Sequence, residues 1–228
     1  MAATKQTVID IKPMQLETVN FTIVGNTPLI VHNWSTKAKQ MILDKQTGKA
    51  KKTKHETKIP VNDFIESLYW LTEKPELGAN DEEAERNYQE SIANGARFGF
   101  PISGIKQSII SGASRGGLDV KMTELRGSMF IEGATDAATF ENAEILFDEV
   151  VMREDMVRVG GMSKSADIRY RAEFHNWRIP LKLQYNVNGK YSLEQLLNCV
   201  NHGGYVTGIG EWRPEKDGQY GMYRLETE

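Results

Sequence analysis

Hydrophobic and polar residues alternate along two long stretches of this chain, residues 17–24 and 178–187. Such alternation is typical of strands that bury one face, so each stretch is predicted to be a strand. Residues 25–28 contain turn-forming residues, and we expect Leu29–Val31 to continue the first strand beyond them. Shorter stretches predict further strands at 128–132, 143–151 and 220–226.

Apolar residues at helical spacing predict two helices that belong to the core. The first spans residues 101–117, where a proline near the start and paired glycines at the end are the preferred residues of helix termini. The second spans residues 192–204, with Ser192 as its N-cap. Two shorter helices are predicted at 35–44 and 61–71.

Without its insertions the chain has the order strand, helix, strand, strand, helix, strand. This order predicts an α+β fold with a ferredoxin-like βαββαβ core, one antiparallel sheet, long insertions and a glycine-rich loop before the last strand. We expect a single domain over residues 1–228, with a charged, partly helical insertion at about 33–97. A second insertion, at about 152–175, is predicted to form a finger-like hairpin.

The composition is that of an ordinary globular protein, with 39% hydrophobic and 26% charged residues. No apolar run approaches the roughly 18 residues of a membrane span, so neither a transmembrane helix nor a membrane partner is expected. Residues 1–12 lack the apolar segment of a secretory signal. The single cysteine, Cys199, has no second cysteine with which to form a disulfide or a zinc site. These features predict a cytoplasmic protein.

Charge is strongly separated along the chain, although the formal net charge is only −3. Residues 35–58 have a net charge of +6, and residues 73–90 have a net charge of −5. A basic segment followed by an acidic segment is able to pair within one molecule or head to tail between copies. The same pattern also suits two solvated loops that keep the protein in solution. The sequence leaves both interpretations open.

Six glycines fall within residues 203–221, between the second core helix and the last strand. Glycine permits positive φ angles and lets a phosphate or another backbone approach closely. Because Trp212 and Arg213 lie in this segment, it is a candidate nucleic-acid site in which the indole stacks on a base. Acidic residues in the same segment weigh against this hypothesis. Glycines that pack tightly against the sheet explain the pattern equally well.

A second candidate site lies at residues 152–178, where basic residues alternate with aromatic ones. Arg169 and Arg171 are two positions apart, so a strand places both side chains on one face. Such a face suits the phosphate backbone of a nucleic acid. It suits the acidic residues of a neighbouring subunit equally well.

The sequence contains little that indicates catalysis or a bound cofactor. The four histidines lack the spacing of metal ligands, and no glycine loop is followed by Gly-Lys-Ser or Gly-Lys-Thr. Cys199 lies on the apolar face of a predicted helix, as an inert core thiol does. We therefore expect no catalytic residue, no metal and no cofactor.

The strand order and the placement of the glycine-rich loop resemble the RAMP superfamily, which includes the backbone and guide-RNA-binding subunits of CRISPR effector complexes. The C-terminal part of the chain shows this resemblance best, and it implies a ferredoxin-like, RRM-like fold that binds nucleic acid. The whole chain also resembles uncharacterised proteins of tailed phages and prophages, through residues 28–32, 152–158 and 210–214. That resemblance implies a phage setting in a bacterial host cell.

These observations predict a phage-type nucleic-acid-binding protein that coats single-stranded DNA or RNA as a head-to-tail homo-oligomer. One alternative is a structural or interaction protein of phage assembly or anti-defence that binds no nucleic acid. Another is a metal-independent ribonuclease, similar to processing members of the RAMP superfamily, that uses His32 or His175. The residues expected to contact nucleic acid are Trp34, Lys37, Lys39, Lys45, Lys49, Lys51, Lys52, Arg153, Arg158, Lys164, Arg169, Arg171, Gly208, Gly210, Trp212 and Arg213.

Overall fold

The computed structural model of the protein describes residues 13–34, 36–48, 58–159 and 165–227. The strands in these ranges are β1 (Leu16–Gly25), β2 (Leu29–Val31), β3 (Tyr69–Trp70), β4 (Phe98–Pro101), β5 (Met129–Gly133), β6 (Asn142–Ile145), β7 (Glu149–Val159), β8 (Ser165–His175), β9 (Arg178–Asn186) and β10 (Tyr223–Leu225). The helices are α1 (Thr36–Gln46), α2 (Pro60–Ser67), α3 (Asp81–Ala93), α4 (Ile102–Arg115), α5 (Met122–Ser128) and α6 (Leu193–His202).

Four strands form the core sheet, in the order β10-β1-β9-β5, and every neighbouring pair is antiparallel. With the insertions set aside, the chain runs β1-α4-β5-β9-α6-β10. Two β-α-β units interleaved in one antiparallel sheet are the ferredoxin-like βαββαβ arrangement. The structure therefore confirms the predicted α+β fold class.

One face of the core sheet packs against the helices that follow β1 and β9. Alternation along β9 buries Ile179, Leu181 and Leu183. These side chains join one hydrophobic cluster with Ile105 and Ile109 of α4. Removing such a side chain from water contributes roughly 1.5–3 kcal/mol, so this cluster is the main source of stability for the core.

The segment Leu29–Val31 does not continue β1, contrary to the prediction. It forms β2 in a second sheet of order β2-β8-β7, where it pairs with β8. The chain changes sheets at Gly25, where a Cβ would overlap the indole of Trp177. The indole nitrogen of Trp177 donates to the Thr27 carbonyl at 2.8 Å, which fixes the turn.

The segment predicted as one strand at 143–151 forms two strands in different sheets. Its first part is β6, which belongs to a third sheet of order β3-β4-β6. Its second part begins β7, and only an isolated bridge between Leu146 and Arg178 connects the break to the core sheet. Alternation along a sequence does not show where a strand changes its partner.

The two predicted core helices form as α4 and α6, whereas α5 was not predicted and the helices of the insertion differ from their predictions. Ser192 caps α6 through a capping box with Gln195, as predicted. At the opposite end of α6, after His202, the helical path continues as a π-helical turn, Gly203–Thr207, in which Gly203 packs against the backbone of α4. In the insertion, α2 ends at Ser67 rather than at residue 71, and α3 forms in the acidic segment, where no helix was predicted.

None of the helices in the described ranges is long and apolar enough to cross a membrane.

The finger consists of β7 and β8, which pair from Glu149 opposite His175 to Val159 opposite Ser165. Residues directly opposite each other in an antiparallel pair point to the same side. One side of the finger base packs on α2, where the Ala172 N–H donates to the Ser67 hydroxyl at 2.9 Å. The other side contains the ion-paired residues Arg153, Asp155, Arg171 and Glu173 and faces the glycine-rich loop, residues 203–221.

Candidate nucleic-acid interface

The charged side of the finger is an ion-pair cluster, which we call the finger-base cluster: Arg153, Asp155, Arg171 and Glu173. Arg153 contacts Asp155 at 2.8 Å and Glu173 at 2.7 Å. Arg171 contacts Asp155 at 2.8 Å and is only 4% exposed. Arg171 was predicted to track a nucleic-acid backbone, but its guanidinium lies inside the protein and its charge is neutralised there. The alternation of Arg169 and Arg171 was read correctly, but the glycine-rich loop covers this face at Arg171.

Asp155 connects the finger to the glycine-rich loop. Its burial opposes ionisation, but hydrogen bonds from Arg153, Arg171 and the indole of Trp212 outweigh that effect and lower the pKa of Asp155 below its ordinary value. The indole nitrogen of Trp212 donates to Asp155 at 3.3 Å. Arg153 also places its guanidinium 4.6 Å from the ring centroid of Tyr220 in the loop. These contacts hold the loop against the finger.

The glycines of the loop serve close packing. The Glu211 N–H donates to the Ile30 carbonyl at 2.9 Å, and the Gly221 N–H donates to the Pro28 carbonyl at 2.8 Å. Gly210 has a φ of 77°, and a Cβ there would overlap the Ile30 carbonyl oxygen. The loop therefore lies directly on β2, and these N–H groups are not free to cradle a phosphate.

The loop's two candidate ligand-binding side chains differ in availability. Trp212 is 41% exposed and has a φ of 51°, a backbone conformation that costs a non-glycine residue roughly 1–2 kcal/mol. The exposed part of its side chain is available to a ligand. Arg213 is half-buried and contacts Glu215 at 2.8 Å and the Gly210 carbonyl at 2.9 Å. Most of its hydrogen-bonding capacity is thus used within the loop.

Three clefts open around the linker His32–Trp34, which joins β2 to α1. The linker cleft, about 280 Å³, lies between the finger and α2. The loop cleft, about 250 Å³, lies between the glycine-rich loop and α4. The phenylalanine cleft, about 620 Å³, lies between α4 and β5. Because His32 lines the first two and Asn33 lines the first and third, the clefts adjoin one another.

The linker cleft is aromatic but not basic. Trp34 and Tyr170 line it, and Trp34 is 59% exposed. Lys58 lies 5.7 Å from the ring centroid of Tyr170 and pairs with Asp63 at 3.2 Å and Asp167 at 3.4 Å. Burial raises the pKa of Asp63, although Lys58 opposes the shift. This cleft offers stacking surfaces, and its carboxylates disfavour a phosphate.

The loop cleft contains the N-terminus of α4, a position that favours anions. Two carboxylates already lie there. Glu211 contacts His32 at 3.5 Å, and this interaction lowers the pKa of Glu211. Glu215 contacts both Arg213 at 2.8 Å and Arg115 at 3.0 Å. The negative charge of these side chains satisfies the local positive potential, so the loop cleft is a weak phosphate site.

The phenylalanine cleft has the most favourable charge for nucleic acid. Its charged lining residues are Lys39, Lys106 and Glu141. Burial lowers the pKa of Lys106, whose ammonium donates to the Met129 carbonyl at 2.8 Å. The cleft also exposes the rings of Phe130 and Phe140. Sequence reasoning missed both phenylalanines, because neither belongs to a basic or glycine-rich segment.

The predicted contact residues fall into separate groups in the structure. Lys37, Lys39 and Lys45 lie on α1, which begins two residues after Trp34. Arg158 is exposed on the finger, and Arg169 is partly exposed and lies 3.6 Å from Asp167. The buried Gly208, together with Gly210, Trp212 and Arg213, belongs to the loop, and Arg153 and Arg171 belong to the finger-base cluster. The remaining predicted residues lie outside the described ranges: Lys49, Lys51, Lys52 and Lys164.

The open face of the core sheet is polar. Thr18 and Asn20 of β1 and Gln184 of β9 are exposed on it. An RRM stacks bases on aromatic residues at the centre of this face. Among the described residues of this sheet, the one aromatic side chain on that face is Phe130, which lies on the edge strand β5. Stacking in the manner of an RRM is therefore not supported on this sheet.

The histidines and serines do not form a recognisable catalytic site in the described part of the chain. His32 pairs with Glu211, and His175 pairs with Glu173 at 3.0 Å. Residues 112–116 read Gly-x-Ser-x-Gly, but they lie in the last turns of α4 instead of between a strand and a helix, where a nucleophile elbow lies. The described residues contain no group of three or more side chains suited to hold a metal ion.

Comparison with known proteins gives similarity in structure only. No family model and no curated protein sequence matches the chain. A chain in the cryo-EM structure of the type III-B Cmr-beta bound to cognate target RNA is similar over 93% of this chain, with 10% identity and a TM-score of 0.47. This chain spans 60% of that protein's length. The crystal structure of Cmr6 from Pyrococcus furiosus is similar over 94% of this chain and 100% of its own, with 12% identity and a TM-score of 0.34.

At these scores the ferredoxin-like assignment depends on the strand order of this chain itself, which the core sheet shows directly.

Proposed function

We propose that the protein binds single-stranded nucleic acid along the side formed by α1, the linker and the phenylalanine cleft. The observation that supports this most directly is the free positive charge on α1. Lys39 and Lys45 are exposed, and neither forms an ion pair with another described residue. Lysines in this state are able to neutralise phosphates without first breaking an internal contact.

Exposed aromatic rings beside this charge favour a single strand over a duplex. Trp34 precedes α1 and is 59% exposed, and Phe140 is 82% exposed. A ring of this kind stacks on a base only when the base is unpaired, and each such stack contributes about 1–3 kcal/mol. Stacking does not depend on the sugar, so the proposal covers both DNA and RNA.

The proposal extends to a phage-type protein that coats the strand as a head-to-tail oligomer. The separation of charge supports this extension: α1 is basic, and the first turn of α3 contains three acidic residues. An acidic helix of one copy beside a basic helix of the next would order neighbouring copies along a strand.

The test is fluorescence anisotropy with labelled single-stranded RNA, single-stranded DNA and duplex at several salt concentrations, with light scattering on the same samples. Wild type is expected to bind both single strands more tightly than duplex. On single strands, the double variant Lys39→Gln/Lys45→Gln should reduce the magnitude of the slope of log K against log salt by about 1.4, or about 0.7 for each lost phosphate contact.

The matched control is Lys121→Gln/Lys182→Gln, which removes the same charge elsewhere. Lys121 precedes α5, and Lys182 lies on the open sheet face. This control should leave the salt slope unchanged. Absence of salt-sensitive binding by wild type would refute the proposal, and a larger loss in the control variant would move the binding surface to the sheet.

A protein-interaction role is the second candidate, and exposed apolar residues favour it. Met41, Ile42 and Leu43 on α1 are each at least 41% exposed. On the finger, Met156 is 79% exposed and lies opposite Ile168, which is 37% exposed. If light scattering shows a defined oligomer while anisotropy shows no nucleic-acid binding, these patches become the functional surfaces.

A further inference from the structure

Phe130 and Phe140 form an exposed aromatic pair at the rim of the phenylalanine cleft. Their ring centroids are 6.4 Å apart, and the rings are inclined by 40°. Phe130 is 43% exposed and Phe140 is 82% exposed. Two exposed aromatic rings in contact form an apolar patch, and a patch of this kind on a protein surface marks a candidate binding surface.

The backbone holds both rings in place. Phe130 is on β5, where burial of Met129 and Ile131 forces the side chain between them outward. Phe140 is at the tip of a closed turn, in which the Thr139 N–H donates to the Asn142 carbonyl at 2.9 Å. The Thr139 hydroxyl in turn accepts from the Asn142 N–H at 3.0 Å. The ring of Phe140 is therefore presented by a preorganised turn.

The remaining walls of the cleft supply the other groups that a nucleotide needs. Asn33 and Asn142 contribute amides, which both donate and accept hydrogen bonds at base edges. Lys39 supplies a positive charge on α1, and Lys106 supplies a second one, anchored on the Met129 carbonyl. A protein partner would use the apolar rings, but it would not need this combination of amides and lysines.

We infer that the phenylalanine cleft receives one nucleobase of the bound strand, stacked on Phe140 and Phe130, with the adjoining phosphate near Lys39. This inference rests on the proposed function and identifies the part of the strand that the cleft recognises. A volume of about 620 Å³ accommodates a base with its sugar. Because Phe130 lies on an edge strand, this stacking differs from that of an RRM, which stacks bases on its central strands.

The test combines substitutions of Phe140 with removal of the bases. Phe140→Leu keeps the apolar character and removes the aromatic face, whereas Phe140→Tyr keeps the face. With oligouridylate, Phe140→Leu is expected to bind roughly 5- to 100-fold more weakly than wild type, and Phe140→Tyr to bind as wild type does. With an abasic ribose-phosphate chain of the same length, all three proteins should bind equally.

The control is Tyr205→Ala, which removes another exposed aromatic ring, 72% exposed, that lines none of the three clefts. Urea unfolding of each variant verifies that Phe140, being outside the core, does not affect stability.

If Phe140→Leu binds oligouridylate as tightly and with the same salt dependence as wild type, the inference is overturned and the proposed function remains. If Phe140→Leu loses self-association but keeps its affinity for oligouridylate, the inference is also overturned, because the two phenylalanines would then form a protein interface. No binding of wild type to any strand refutes the proposed function itself.

Discussion

The finger-base cluster, which contacts Trp212 and Tyr220 of the loop, and the phenylalanine cleft both bring basic and aromatic side chains together, but only the cleft leaves them exposed. In the finger-base cluster, Asp155 and Glu173 together neutralise the two arginines, and the glycine-rich loop covers them. On α1, Lys39 lies exposed next to a wide cleft with bare aromatic rings. The comparison teaches that the density of arginine in a sequence does not locate a ligand, since the pairing of each charge decides whether it is available.

The largest expected effect is on stability, and it comes from the buried side of the comparison. Asp155→Ala leaves the guanidinium of Arg171, only 4% exposed, without its ion pair. An uncompensated buried charge costs about 3–5 kcal/mol, so the urea midpoint should fall sharply. Glu154→Ala, its exposed neighbour on the opposite face of β7, should change stability by less than about 0.5 kcal/mol. Equal losses in the two variants would show that the cluster is not a buried network.

The next effect separates packing from backbone strain in the glycine-rich loop. Gly210 and Gly117 share a φ of 77°, but only Gly210 has a carbonyl oxygen where a Cβ would be. Gly117→Ala should cost roughly 1–2 kcal/mol from the left-handed conformation alone. Gly210→Ala should cost clearly more, as measured by thermal unfolding. If the two variants are equally stable, the loop does not pack on β2 as closely as the contacts indicate.

On the exposed side, Trp34→Ala is expected to weaken binding to single strands by about 1–3 kcal/mol, the contribution of one stacked base. Its fold stability should be unchanged, because the ring is 59% exposed. Anisotropy titrations alongside urea unfolding distinguish the two effects. Trp212→Ala provides a comparison: Trp212 also donates a hydrogen bond to Asp155, so this variant should lose fold stability as well.

The smallest effect is a pH dependence that reports on the finger-base cluster. Because the pKa of Asp155 is lowered in the folded protein, its charge stabilises the fold above the ordinary aspartate pKa. That contribution disappears as the pH falls through the lowered pKa. Asp155→Asn should be less stable than wild type at pH 7, and the difference should shrink toward pH 2 in urea titrations. If the stability difference between Asp155→Asn and wild type stays constant with pH, the lowered pKa of Asp155 is contradicted.

Much of the core could be predicted because its signals are local. Alternation in β1 and β9, the apolar spacing in α4 and the capping box at Ser192 each lie within a few residues, and each element formed as expected. The insertion was predicted less well, because α2 ends before residue 71 and α3 was not predicted. Before the insertion, the segment Leu29–Val31 pairs in a different sheet, and Trp177, far away in sequence, fills the space at Gly25 where the chain leaves the core sheet.

The candidate site was harder to predict, for the same reason. Trp34 and the α1 lysines were identified by composition, but Arg171 was not recognised as buried, because its burial depends on a loop some forty residues further on. Phe130 and Phe140 belong to a strand edge and a turn that no motif connects. By itself, the sequence determined the βαββαβ order and the separation of charge, since both follow from neighbouring residues. Only the tertiary structure decided which charges are paired and which rings meet, because those contacts join segments that are distant along the chain.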